Sequence, residues 1–97
     1  MVDFSCFQSF QREVQDHLPL IREAIQSGNA EKLRQLAHRL KGTAANIGAS
    51  AVAESCYALE KLGRSSTVQG APALIQELQE RYEQTVALFE QMKEKRP

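Results

Sequence analysis

Residues 33–48, LRQLAHRLKGTAANIG, carry the pattern that decides the fold. Apolar residues recur in this stretch every three or four positions, which is the period of one face of an α-helix. The members of this face are Leu33, Leu36, Ala37, Leu40, Ala44 and Ile47. Gly48 follows directly and predicts the end of the helix. Because an isolated amphipathic helix of this length is unstable in water, the helix predicted over residues 30–47 must pack against other elements.

The same helical period is present before this stretch. Its apolar members are Phe4, Phe7, Phe10, Val14, Leu18, Ile21 and Ile25. Pro19 removes a backbone donor inside the pattern, but the period keeps its phase across the proline. This predicts one helix over residues 4–27, bent near residues 15–19. Gly28 predicts the C-terminal stop of this helix, and Asn29 predicts the N-cap of the next.

A third helix is predicted over residues 51–63, with Ser50 as its N-cap and Gly63 at its end. Its apolar face comprises Val52, Cys56, Leu59 and Leu62. The polar segment over residues 64–70 predicts a loop.

The fourth predicted helix covers residues 71–94, with Pro72 in its first turn. Its apolar stripe comprises Ile75, Leu78, Tyr82, Thr85, Phe89 and Met92. The sequence lacks the alternating runs of β-branched residues that would predict strands. Residues 1–97 are therefore predicted to form one domain, an all-α, antiparallel up-down-up-down four-helix bundle.

The composition excludes several classes of function. Twelve Lys and Arg residues balance twelve Asp and Glu residues, so neither nucleic-acid binding nor direct membrane contact has electrostatic support. No apolar run approaches the roughly 20 residues of a membrane span, which favours a cytoplasmic location. Cys6 and Cys56 lack the spacing of metal ligands, and His17 belongs to no ligand cluster, so no metal site is predicted.

His38 lies on the solvent face of the helix predicted over residues 30–47. At about 100° per residue, it is roughly 160° from both Leu36 and Leu40. Lys41 and Gly42 share its face, at about 60° and 40° on either side. Glycine inside a helix costs roughly 1 kcal/mol relative to alanine, and packing against a neighbouring helix does not explain a glycine that faces solvent. We therefore interpret Gly42 as clearance for a bulky partner over His38.

The chemistry that fits this face is phosphoryl transfer. A neutral imidazole nitrogen is a good nucleophile near neutral pH, and its attack on a phosphoryl group gives a phosphohistidine. Lys41 is placed to neutralise part of the added negative charge. Arg34, Arg39 and Arg64 add a weak positive field that attracts an acidic partner.

The run from His38 to Gly48 resembles the HxLKGxxxxxG signature of histidine-containing phosphotransfer (HPt) domains. Gly28-Asn29 and residues 59–64 also match the layout of that family. The resemblance implies a monomeric bundle that relays phosphoryl groups between the aspartates of receiver domains. It implies His38 as the phosphoacceptor, Lys41 as a phosphate-stabilising residue and Gly42 as clearance.

The same resemblance implies that the domain has no cofactor of its own and that the receiver supplies Mg²⁺. The residues expected at the docking surface are Arg34, Gln35, Arg39, Ala45, Gly48, Glu60 and Arg64. Some family members have a glutamine twenty-two residues after the histidine, where this chain has Glu60. A carboxylate there can orient the imidazole but repels phosphate, so the role of Glu60 is open at this point.

Two other kinds of protein also present a histidine on an exposed helix face. The dimerisation domain of a sensor kinase is disfavoured because Arg39 follows His38 and the next proline is Pro72. The chain also has no Gly-rich ATP-binding lobe, so we expect a phosphoryl carrier that is not itself an enzyme. A helical adaptor protein in which His38 has no function stays open as an alternative. The sequence also leaves open whether the domain is a free protein or a part of a hybrid kinase, including the cytoplasmic end of a membrane-anchored hybrid kinase.

Overall fold

Four helices joined by three short connections make up the computed structural model, which describes residues 4–94 and the side chains of residues 5–92. The helices are α1 (Phe4–Gln26), α2 (Ala30–Asn46), α3 (Ser50–Arg64) and α4 (Ala71–Glu94). None of the residues in this range forms a strand. Residues 1–3 and 95–97 of the predicted domain, and the side chain of Phe4, lie outside the described part.

The helices form a ring in which α1 packs against α2 and α4, and α3 packs against α2 and α4. Within residues 4–94 the two diagonal pairs make no close backbone approach. This arrangement is the predicted antiparallel up-down-up-down bundle. No helix in the described range is long and apolar enough to cross a membrane.

The predicted apolar faces meet in the core. The largest fully buried apolar side chains are Phe10, Ile21, Leu33, Leu40, Leu59 and Leu78. Cys56 is also buried, as predicted, and burial raises the pKa of its thiol to about 12. It therefore behaves as a small apolar side chain. α1 runs through Pro19 as one helix, in agreement with the unbroken phase of its stripe.

Three of the predicted helix-end signals are confirmed in detail. Gly28 has a φ of +70°, a left-handed conformation that favours glycine, and the side chain of Asn29 accepts a 3.0 Å hydrogen bond from the backbone N–H of Lys32. Gly48, at a φ of +79°, turns the chain out of α2.

The prediction that Ser50 caps α3 was wrong. Ala49 occupies the cap position and Ser50 is the first helical residue, with no side-chain hydrogen bond at the cap. The tight exit from α2 explains the shift. Because the N–H of Ala49 bonds to the carbonyl of Ala44, the Ala49 carbonyl is already placed to accept from Ala53 at 2.9 Å.

The predicted end of α3 near Gly63 is confirmed to within one residue. α3 continues to Arg64, and Gly63 is buried within its last turn. A Cβ atom at this position would lie 2.6 Å from the carbonyl oxygen of Ala30 and 2.8 Å from the backbone nitrogen of Arg34. Gly63 therefore allows the end of α3 to approach the start of α2 closely.

The apolar stripe of α4 is buried only in its first half. Ile75 and Leu78 are in the core, and Phe89 stacks on Phe7 with ring centroids 4.5 Å apart. Met92, predicted to lie on the buried stripe, has 63% of its surface exposed, which corrects that assignment. α2 and α3 are shorter than α1 and α4, and among the described residues this end of α4 packs on α1 through Phe89 but leaves Met92 exposed.

Candidate functional site

His38 lies in the middle of α2 with 64% of its side chain exposed. Its helical neighbours Ala37 and Leu40 are completely buried. The apolar face of α2 therefore turns His38 outward, as the sequence phasing predicted. The imidazole lies on the surface formed by α2 and α3.

Glu60 of α3 lies beneath this imidazole. Its side chain is only 1% exposed, and its Oε2 atom is 3.1 Å from Nδ1 of His38. The expectation that Glu60 contributes to the docking surface is thus corrected, because the carboxylate is under the surface. The α2–α3 packing that brings the carboxylate to the ring depends on the close approach at Gly63.

Two cations hold the buried carboxylate. Nζ of Lys41 lies 2.7 Å from Oε1, and the guanidinium of Arg64, one turn along α3, lies 2.6 Å from Oε2. A buried charge is tolerated when it is paired and hydrogen-bonded in this way. The ion pair with Lys41 lowers the pKa of Glu60 from its ordinary value, against the opposing effect of burial, and the bond to His38 acts in the same direction.

The charge on Glu60 decides the tautomer of His38. An ionised carboxylate can only accept hydrogen bonds, so Nδ1 must be the protonated nitrogen. In the neutral ring the lone pair is then on Nε2, the nitrogen on the side of the ring away from Glu60. The arrangement presents a nucleophilic Nε2 on an exposed ring whose orientation is set from below.

Lys41 is itself positioned by a second contact. Its ammonium group lies 5.1 Å from the ring centroid of Tyr57, and that of Lys61 lies 4.8 Å from the same ring. Such cation–π contacts are favourable. Tyr57 is 45% exposed, and the sequence analysis did not single it out. The available signal was an exposed aromatic residue three positions before Glu60 on the same helix.

Gly42 faces open space. A Cβ atom at this position would meet no atom within 4 Å, so no contact inside the domain requires a glycine there. It borders an open groove of about 470 Å³ between α2 and α3. The groove is lined by Lys41, Gly42, Ala45, Gly48, Ser50, Ala53, Glu54 and Tyr57. Small side chains beside Gly42 therefore leave room next to His38.

The other predicted docking residues are more dispersed. Arg34 forms an ion pair with Glu31 at 2.6 Å, and Gln35 bonds to the same carboxylate. Arg39 faces α1, where it lies 3.9 Å from Glu13. The charges of these two arginines are thus partly compensated within the domain, which weakens the positive field predicted from the sequence.

A metal-binding alternative has no support in the described residues, which contain no cluster of three or more His, Cys, Asp or Glu side chains able to hold an ion. His17 is remote from His38 in sequence, on α1, and its Nδ1 lies 2.8 Å from the carbonyl of Glu13.

The family model for the Hpt domain matches residues 6–88. The chain belongs to the Hpt domain family. Its fold is similar to the crystal structure of histidine-containing phosphotransfer protein B from Pseudomonas aeruginosa PAO1, with a TM-score of 0.87 and 31% sequence identity over 96% of this chain and 81% of that one. The comparison with curated proteins gives no match.

Membership of this family establishes the role of the domain. It is a histidine phosphotransfer domain of a phosphorelay, and a phosphocarrier rather than a kinase. Domains of the Hpt family interact with the receiver domains of response regulators. The reading as an adaptor with an incidental histidine is thereby set aside.

Proposed function

We propose that His38 is the phosphoacceptor of this Hpt domain and that Nε2 forms the bond to phosphorus. The observation that carries the proposal is the buried Glu60 carboxylate 3.1 Å from Nδ1. It fixes the exposed ring with its proton on Nδ1 and its lone pair on Nε2. Nδ1 of the other histidine, His17, lies 2.8 Å from the backbone carbonyl of Glu13 and contacts no carboxylate among the side chains of residues 5–92.

The transfer requires a partner that completes the site. A receiver domain brings its phosphoaspartate in line with Nε2, the nitrogen lone pair forms the N–P bond, and the O–P bond breaks with its electron pair returning to the aspartate. Donation to a second receiver is the reverse. The receiver supplies Mg²⁺, which neutralises charge on the phosphoryl oxygens, and the domain contributes no metal of its own.

Lys41 is the residue of this chain best placed to stabilise phosphohistidine. Charges about 4 Å apart interact by roughly 1 kcal/mol in water and by roughly 4 kcal/mol at an effective dielectric constant of about 20. Only 30% of the Lys41 side chain is exposed, and docking covers that exposed part. Its contribution therefore increases when the receiver excludes water.

The groove beside Gly42 supports the placement of the receiver. Gly42, Ala45 and Gly48 present almost no side-chain bulk, and Tyr57 provides an apolar wall at the opposite side. We propose that an apolar surface of the receiver fits this groove. Arg64, which is 60% exposed and pairs with Glu60 beneath His38, is expected to face the acidic phosphorylation pocket of the receiver.

The test uses the two histidines as a matched pair. The domain, its His38→Gln variant and its His17→Gln variant are mixed with a receiver labelled on its phosphoaspartate. The label is expected to move to the wild-type domain and to His17→Gln as an acid-labile, alkali-stable phosphate, and to be absent from His38→Gln. Labelling of a folded His38→Gln variant contradicts the assignment.

The oligomeric state and the cellular location of the domain are part of the same proposal. We propose that it acts as a monomer in the cytoplasm, either as a free protein or as a part of a hybrid kinase whose ATP-binding lobe lies elsewhere. Sedimentation of the domain alone and with a receiver tests the first statement, with a 1:1 complex as the expected product. The complete reading frame tests the second.

A further inference from the structure

One face of α3 borders both the His38 site and the groove beside Gly42, and its charge changes sign along the helix. The members of this face are spaced three or four residues apart, and they are Glu54, Tyr57, Lys61 and Arg64. The two basic residues follow Glu60, the residue that lies beneath His38. Glu54 precedes Glu60 on the same helix by about 9 Å along its axis. The surface is therefore basic beside His38 and acidic at the end towards the turn between α2 and α3.

The acidic end of the groove is Glu54, whose charge is available to a partner. Its side chain is 76% exposed, and it lies 3.7 Å from the guanidinium of Arg81, which is beyond hydrogen-bond distance. Arg81 donates instead to the backbone carbonyl of Ala51 at 3.1 Å and pairs with Glu77 at 2.8 Å. Because one arginine is shared by two carboxylates, the three charged side chains together carry one net negative charge.

Lys61 provides the opposite charge near His38. It is exposed, and its ammonium group lies 4.8 Å from the ring centroid of Tyr57. Among the side chains of residues 5–92, no carboxylate pairs with Lys61. Lys41 contacts the same ring but is bound to the buried Glu60. The cation–π contact therefore holds the Lys61 side chain beside the groove without neutralising its charge.

We propose that this groove, polarised from Lys61 to Glu54, selects the receivers that dock on the domain by the order of their charges. A matching receiver places its acidic phosphorylation pocket over His38 and beside Lys61. Next to the pocket it presents an apolar side chain to Tyr57. About 9 Å from the pocket it presents a Lys or Arg to Glu54. Glu54 and Lys61 are thus specificity-determining residues, and this inference rests on the proposed placement of a receiver over His38.

A polarised groove acts differently from a uniform positive field. A uniform field attracts any acidic surface and does not orient it. The arginines of α2 that could create such a field are paired within the domain. A receiver docked in the reverse direction would place an acidic pocket near Glu54 and a cation near Lys61. Juxtaposed like charges disfavour such a complex, so the groove discriminates by repulsion as well as by attraction.

The first test removes an acid and a base from the same surface. The probe is a receiver that labels the wild-type domain, used in its unphosphorylated form, and calorimetry gives its Kd for wild type, Glu54→Gln and Lys61→Gln. Both variants are expected to raise the Kd about threefold or more, and the losses should shrink at high salt. A uniform positive field predicts the opposite for Glu54→Gln, namely tighter binding. The proposal is overturned if either variant binds the receiver as tightly as wild type or more tightly.

A matched control removes the same charge from another surface. Glu83 is exposed on α4, where it lines a separate surface groove together with Arg22 of α1. Glu83→Gln is expected to bind the receiver with the Kd of wild type. A rise equal to that of Glu54→Gln would assign the effect to overall charge and contradict the proposal.

A second measurement locates the cation on the receiver. Glu54→Lys is expected to raise the Kd about tenfold. Each exposed Lys and Arg on the docking face of the receiver is then changed to Glu, one at a time. One of these changes is expected to weaken binding to wild type and to restore binding to Glu54→Lys, which is the coupling of a direct pair. If no change restores binding, the proposal is wrong. These experiments involve no transfer, so failure of the assigned phosphoacceptor is a separate result that appears as labelling of His38→Gln.

Discussion

Alanine at Gly63 and alanine at Gly42 are expected to change the stability of the domain in opposite directions. Both glycines lie within helices, so both substitutions gain the same intrinsic helix propensity of up to about 1 kcal/mol. The difference between them is what the new methyl group meets. The pair therefore separates tertiary packing from local propensity.

At Gly63 the new methyl group would contact backbone atoms, which cannot rotate away as a flexible side chain can. The new Cβ would lie 2.6 Å from the Ala30 carbonyl oxygen, 2.8 Å from the Arg34 nitrogen and 3.0 Å from the Arg34 Cα. Ordinary van der Waals contact begins at about 3.5 Å, so α2 and α3 must separate by several tenths of an ångström. Overpacking of this kind costs about 1–3 kcal/mol, which exceeds the gain in propensity.

At Gly42 the methyl group meets nothing within 4 Å. Gly42→Ala is therefore expected to stabilise the domain by up to about 1 kcal/mol. For a domain of this size, 1 kcal/mol corresponds to roughly 4–8 °C in Tm, so the two variants should melt on either side of wild type.

Urea denaturation followed by circular dichroism, together with thermal melting, measures both changes. The reasoning is refuted if Gly63→Ala is as stable as wild type, or if Gly42→Ala loses as much stability as Gly63→Ala. A further readout follows from the position of Gly63 on α3. Separation of the helices should move Glu60 from His38, which the ring chemical shifts of His38 report.

Three other outcomes are expected. Gly42→Gln should slow phosphoryl transfer to or from a receiver about tenfold or more, because the new side chain occupies the space that the partner needs. Its melting temperature should stay at or above that of wild type. Transfer rates equal to those of wild type would contradict the interpretation of Gly42 as clearance. Because the pKa of Glu60 is lowered in the folded state, its ionisation stabilises the fold at pH values above the unfolded pKa. This stabilisation is lost as the pH falls through the folded pKa. The stability of Glu60→Gln, measured by circular dichroism during acid unfolding, should therefore depend less steeply on pH than that of wild type. Tyr57→Ser should raise the Kd for a receiver by about tenfold in calorimetry, because the groove loses its exposed aromatic side chain. Tyr82→Phe, a control that does not line the groove, should leave the Kd unchanged.

The features that local periodicity determines were predictable from the sequence. A helix needs only the spacing of its own apolar residues, so each predicted helix begins and ends within one residue of its observed limits. The outward direction of His38 followed from the same spacing. Gly28 and Asn29 were recognisable because their roles depend on the conformation of a single turn.

The features that depend on the approach of two helices were not predictable in this way. Gly63 looked like a helix stop because glycine commonly ends helices, but its function is set by the backbone of α2 some thirty residues earlier. The groove lined by Ala53 and Tyr57 likewise exists only after α2 and α3 are side by side. Met92 has the right period but is exposed, because periodicity carries no information on the length of neighbouring helices.

Glu60 shows how burial changes the meaning of a charge. In the sequence it is one carboxylate near a phosphate site, and simple repulsion argues against it. In the structure it is bound by Lys41 and Arg64, so the carboxylate, the two cations and a neutral His38 carry one positive charge together. A phosphoryl group on Nε2 adds about two negative charges, and a ring with phosphorus on Nε2 and a proton on Nδ1 carries one positive charge. The cluster is then close to neutral. A glutamine at this position would leave two positive charges on the same cations at rest, so the carboxylate keeps the site within about one charge of neutrality in both states of the relay.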